Sequence, residues 1–126
     1  MESKAYFLTK YGSANAAFEL RSFKLPALKS DEVLIEVEAF GLNYADVMAR
    51  KGLYAPAPKP PGIIGYEVVG KITKVYNDSD YHLINKSVLT FTRFGGYSAH
   101  VIAKNIHVVP VSENSEVAAI TALATQ

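Results

Sequence analysis

Hydrophobic and polar positions alternate along much of this chain, and that alternation predicts strands. It is clearest in DEVLIEVEAFG, where Val33, Ile35, Val37 and Ala39 fall on one side and Glu36 and Glu38 on the other. Only a period of two produces that pattern. Residues 18–23 alternate strictly as well and predict a half-buried strand, stopped by Pro26. Residues 5–9 read as an earlier strand, broken by the Gly and Asn of KYGSANAAF. YEVVGKITKVY (66–76) predicts another strand with Gly70 inside it. A glycine there marks a bulge, a tight bend or a close backbone approach. NDSDYH reads as a turn, SVLTF and GYSAHVIA as strands joined by a hairpin turn at Gly95-Gly96, and HVVPV as a short strand ending at Pro110. Many short strands with little helix imply a mainly β domain, a barrel or a sandwich.

The period changes to helical in two places. Over residues 44–51, Asn43 is a favoured N-cap, Asp46 falls at N3, Arg50 and Lys51 close the last turn, and Gly52 stands ready for a left-handed cap. Tyr44, Val47 and Met48 would form its apolar face. The second helical pattern, over about 113–126, has Ser112 or Asn114 as cap and Val117, Ile120, Leu123 and Ala124 in phase. It carries no stop signal. It reads as a helix cut before a second domain, or else as a frayed terminus.

Composition narrows the function classes. The 126 residues, 49% hydrophobic, suffice for one domain with a real core. Thirteen basic and twelve acidic side chains leave a formal charge of +1, which argues against nucleic acid or an acidic membrane as partner. With no cysteine there are no disulfides and no thiolate metal sites. No apolar run approaches the roughly 18 residues of a membrane span. Met1 leads into a charged, alternating segment rather than a signal peptide, so the expected location is cytoplasmic.

The candidate chemistry centres on GLNYADVMARKGLY, residues 41–54. A complete two-turn helix accounts for most of it, Asp46 included. Such a short helix must be held by neighbours, however, and it starts with a polar cluster at the end of an apolar strand. Tyr54 follows the cap, and then comes a stiff loop, residues 55–62, holding four of the six prolines. That loop can wall a cleft at low entropic cost. Its PKPP segment also fits a polyproline ligand motif, although a rigid loop suits its place between folded elements better. Glu67 is the lone acid of an apolar run and needs, if buried, a partner or a raised pKa, as a structural ion pair or as a catalytic group. His82 lies in a turn and His100 and His107 on predicted strands, with no ligand spacing among them.

Taken together, GLNYADVMARKGLY, the proline loop, PGIIGYEVVGKI and RFGGYSAHVIAKNIHVVPV resemble the N-terminal domain of the medium-chain dehydrogenase/reductase superfamily. The nearest branch is the zinc-free quinone oxidoreductases, including the zeta-crystallin and vesicle amine transport protein-like members. The resemblance covers nearly the whole chain. It implies a GroES-like, partly open β-barrel with short helices, followed in the family by a Rossmann domain that carries the dinucleotide loop. It implies NADPH-dependent reduction of a quinone or an α,β-unsaturated carbonyl in a cleft between the two domains, by a homodimeric full-length protein, with the isolated domain inactive. The zinc-containing cousins have Cys where this chain has Asn43 and His where it has Tyr66, so no zinc is expected. The resemblance assigns Asn43 to the nicotinamide end of NADPH and Tyr54 to the substrate, both as catalytic residues. Tyr44 and Met48 are added to the substrate contacts. Met48 replaces a frequent Tyr, which points to a different substrate. The competing reading is a non-catalytic GroES-like module that binds protein partners; a co-chaperonin is a weaker third, because no mobile apolar docking loop is evident.

Overall fold

Among the described residues, 1–92 and 94–111 of the computed structural model, seven strands and two short α-helices follow one another. The strands are β1 (Glu2–Leu8), β2 (Phe18–Lys24), β3 (Glu32–Phe40), β4 (Glu67–Val75), β5 (Ser87–Phe91), β6 (His100–Lys104) and β7 (Val108–Pro110). The helices are α1 (Ala14–Ala17) and α2 (Tyr44–Arg50). The helical pattern over 113–126 lies outside the described residues.

Two antiparallel sheets form, β1-β2 and a five-stranded sheet in the order β6-β3-β4-β5-β7. Residues 97–99 stitch them together. The Tyr6 N–H donates to the Tyr97 carbonyl at 2.9 Å, and the Ala99 N–H to the Lys4 carbonyl at 2.8 Å. On its other side the Ala99 carbonyl accepts from the Val37 N–H at 2.8 Å. The result is a curled, partly open GroES-like half-barrel, as the resemblance implied.

The core has two parts. Val33, Ile35, Ile72 and Val88 fill the space enclosed by β3, β4 and β5. Leu8, Ala17, Ala49, Ile64 and Tyr97 form the second cluster, with Phe40 and Tyr54 packed against it. Ala49 is how α2 joins that cluster, which supplies the support so short a helix needs. Arg50 adds a tether: its Nη1 donates to the Gly12 carbonyl at 2.6 Å, while the Gly12 N–H donates to the Arg50 carbonyl at 2.9 Å.

Gly70 behaves as its place in the strand predicted. It pairs with Val37 next to an irregularity in the β3–β4 register, and a Cβ on it would collide with the Glu36 carbonyl. The left-handed cap at Gly52 is present, with φ +77°.

Four expectations are corrected. Gly95-Gly96 is not a hairpin turn, because β5 and β6 are not neighbours; the Gly95 N–H bonds to the Ile63 carbonyl at 3.1 Å instead. A glycine pair marks a turn, but which strands flank it is a long-range matter. His107 sits in a 3₁₀ turn, Asn105–His107, rather than on a strand. The inner face of α2 is Asp46 and Ala49, whereas Tyr44 is 76% exposed. Finally, β2 alternates in sequence but pairs only with β1, and Leu20 stays 54% exposed while Phe18 on the same face packs against the second cluster. The PKPP segment is built into the fold: Pro58 and Pro60 are half-buried, and Gly62 beyond them pairs with Leu8. No helix among the described residues is long and apolar enough to cross a membrane.

Candidate functional site

The site grows from the point where β3 ends beside the start of β4. Phe40 pairs with Val68, and one step further the Gly41 N–H donates to the Glu67 carbonyl at 3.1 Å. Glu67 is the first residue of β4, and its side chain turns across Gly41, into the space that a Cβ there would fill. Any other residue at 41 would compete with that carboxylate.

Asn43 lies directly beyond. Its side-chain amide donates to both Glu67 oxygens at 3.2 Å. Its backbone N–H donates to Asp46 Oδ2 at 3.1 Å, the Asp46 half of a capping box. Asp46 therefore is the helix residue the sequence predicts, but it is also 4% exposed and accepts the Tyr97 hydroxyl at 2.9 Å. Tyr97 stacks on Phe40, with ring centroids 4.6 Å apart.

Burial dominates the electrostatics. Glu67 is 1% exposed, and desolvation raises its pKa; the Asn43 amide pulls it back down and the Asp46 charge pushes it up again. Desolvation raises Asp46 too, against the opposing bonds from Tyr97 and Asn43. The Tyr97 phenol is pushed up by burial and by Asp46. Glu67 thus meets an amide, not the cation of an ion pair; the one salt bridge among the described residues joins Arg21 to Glu19 at the surface.

Tyr66 precedes Glu67. Its ring meets Tyr54 edge-on, with centroids 6.5 Å apart, and Phe94 at 5.5 Å. Burial, Tyr54 and the Asp46 charge all push its phenol up. An amide and a phenol held in its protonated form make a poor donor set for zinc. Among the described residues no group of three or more His, Cys, Asp or Glu is placed to hold a metal.

The structure thus brings Asn43 to the polar cluster and Tyr54 to its aromatic edge. Met48 is half-buried on α2, and Tyr44 points to solvent. The Asn43 amide turns inward to Glu67. Sequence reasoning missed Tyr97, whose partner is 51 residues away, and left Glu67 undecided. A separate apolar groove of about 430 Å³ between β1-β2 and β3 has Phe40 and Tyr97 in its lining and none of the four predicted residues.

Residues 29–113 match the alcohol dehydrogenase GroES-like domain. The chain belongs to that family. Its relatives bear out the medium-chain dehydrogenase/reductase resemblance and include quinone and alkenal/one oxidoreductases. It is 37% identical over 105 residues to the zebrafish (Danio rerio) synaptic vesicle membrane protein VAT-1 homolog, covering 82% of this chain and 22% of that protein. It is 35% identical over 75 residues to the chloroplastic NADPH-dependent alkenal/one oxidoreductase of Arabidopsis thaliana, covering 59% of this chain and 19% of that one. The quinone oxidoreductase of Thermus thermophilus, whose structure is known also as its NADPH complex, superposes with a TM-score of 0.72 at 29% identity, covering 90% of this chain and 34% of that one. The chain spans about a fifth to a third of the length of these relatives.

Proposed function

We propose that this domain forms the substrate side of a zinc-independent, NADPH-dependent reductase of quinones or α,β-unsaturated carbonyls, working in a cleft completed by a cofactor domain. The observation that carries it is the polar cluster at the β3–β4 end, made of a neutral amide and phenols next to two carboxylates held in burial. When bound, NADPH supplies the hydride and leaves as NADP⁺.

The residues present fit that cofactor. With its NH₂ committed to Glu67 and its amide oxygen turned to the Asp46 backbone in the capping box, Asn43 keeps that oxygen's second lone pair to accept from a carboxamide N–H such as that of nicotinamide. Glu67 holds the Asn43 side chain in one orientation, so this acceptor is fixed in advance. Tyr54, held against the core cluster, offers its ring face to a flat conjugated substrate. The relatives' names support both substrate classes and the cofactor.

The test uses the full-length protein. NADPH consumption is followed with 1,4-benzoquinone and with an α,β-unsaturated ketone, with and without a chelator. Turnover of at least one substrate, unchanged by chelation, is expected. Turnover of neither, or activity lost to the chelator and restored by zinc, ends the reading. Asn43→Ala should raise the Kd for NADPH or slow hydride transfer; unchanged values would remove Asn43 from the site.

A further inference from the structure

We propose that the Tyr66 hydroxyl is the hydrogen-bond donor that grips the carbonyl oxygen of the substrate. The assignment rests on the reductase reading above and deepens it. Two buried side-chain polar atoms have no hydrogen-bond partner among the described residues, and both lie in this cluster: Asp46 Oδ1 and the Tyr66 hydroxyl. A buried hydroxyl without a partner is a net cost to folding, and a phenylalanine would avoid it. The phenol at 66 is therefore retained at the expense of stability, which is the pattern of a group whose partner arrives with a ligand.

Among the described residues no neighbour bonds it. The donors around the two carboxylates are already committed: Tyr97 and the Asn43 N–H to Asp46, and the Asn43 amide to Glu67. Tyr54 and Phe94 hold the Tyr66 ring through aromatic contacts; the Tyr54 hydroxyl is near enough to push the Tyr66 phenol up but does not meet hydrogen-bond geometry with it. Aromatic walls of this kind suit a flat conjugated carbonyl. Burial first, then Tyr54 and the Asp46 charge, keep the phenol protonated, so it stays a neutral donor.

The chemistry balances with NADPH as the named reductant. Hydride forms a C–H bond at the β-carbon, the C=C π pair shifts, and the electron pair arrives on the oxygen. Tyr66 holds that oxygen as its charge grows, and water then protonates the α-carbon. The bond strengthens as charge develops, so its effect falls on kcat rather than KM.

The experiment compares wild type and Tyr66→Phe in the full-length protein. Expected are a Tm at or above that of wild type, KM changed by less than about threefold, and kcat for the enone down about 10²–10³-fold. A chromophoric enal, 4-(dimethylamino)cinnamaldehyde, should bind both proteins but shift to longer wavelength only on wild type. A variant that keeps wild-type kcat and the red shift overturns the proposal. So does a lower Tm, which would mark the hydroxyl as a structural bond. If wild type turns over neither substrate class, the reductase reading falls, and the red shift alone then decides whether Tyr66 grips a carbonyl.

Discussion

The Asn43 amide donates to both carboxylate oxygens of Glu67 at 3.2 Å, joining the cap of α2 to the first residue of β4. No other side chain or backbone group bonds the Glu67 carboxylate among the described residues. Two consequences follow, one for stability and one for orientation, since the same contact holds Asn43 in place for any ligand.

Truncating the acid should be costly. Glu67→Ala leaves a cavity and a stranded amide, and is expected to lose about 2–4 kcal/mol. Glu67→Gln keeps an acceptor without the buried charge and should match or exceed wild type at neutral pH. Urea titration of the two variants decides it; equal losses would show that the charge itself, not the hydrogen bond, holds the cluster.

The same carboxyl groups make stability depend on pH with a definite sign. Folding raises the pKa of both Asp46 and Glu67, mainly by desolvation. The stability linked to such a raised acid is fully present below its unfolded value, about 4, and is lost as pH rises through the folded value. Glu67→Gln lacks its share of that loss. The stability of Glu67→Gln relative to wild type should therefore rise with pH from about 4 upward. A difference that stays flat or falls, in denaturant melts across that range, would contradict the assignment.

Two glycines should respond differently to alanine. At Gly70 the added Cβ meets the Glu36 backbone carbonyl, which cannot move without breaking the β3–β4 ladder. At Gly41 it meets the Glu67 side chain. Gly70→Ala should lose about 3 kcal/mol or more and Gly41→Ala about 1–3 kcal/mol. Gly41→Ala combined with Glu67→Ala should cost less than the sum of the two, a coupling that a double-mutant cycle measures directly.

Tyr97→Phe removes the hydroxyl that Asp46 accepts. Asp46 then keeps one bond, from the Asn43 N–H, in a buried setting. The expected loss is about 1–3 kcal/mol, larger at neutral than at acid pH because the ionised carboxylate suffers most. A loss independent of pH, in urea melts at acid and neutral pH, would show that the Tyr97 hydroxyl does not serve the ionised Asp46 carboxylate.

How much could be foreseen follows the range of each interaction. The strands were legible because side-chain alternation is local, and β3 and β4 lie within a residue or two of their expected limits. The α2 cap was legible because Asn43 and Asp46 are three residues apart, and Gly52 sits where a left-handed residue is required. Failures began where a partner is distant. The glycine pair at 95–96 looked like a hairpin turn, yet the next strand pairs with β3 and not with β5. Tyr44 looked like part of an inner face because it is apolar, yet Asp46 took the inside once Tyr97 offered it a bond.

By itself the sequence determined the mainly β architecture, the capped helix after the third strand, the glycine at the β3–β4 crowding point and the absence of thiolate ligands. Each is written in residue types and spacings a few positions apart. Only the tertiary structure decided that Asn43 faces Glu67 across 24 residues, that Asp46 meets Tyr97 across 51, and that the Tyr66 hydroxyl is buried with no partner among the described residues. Those relations depend on strand pairing and burial, because hydrogen bonds and desolvation act between groups that the chain brings together only by folding.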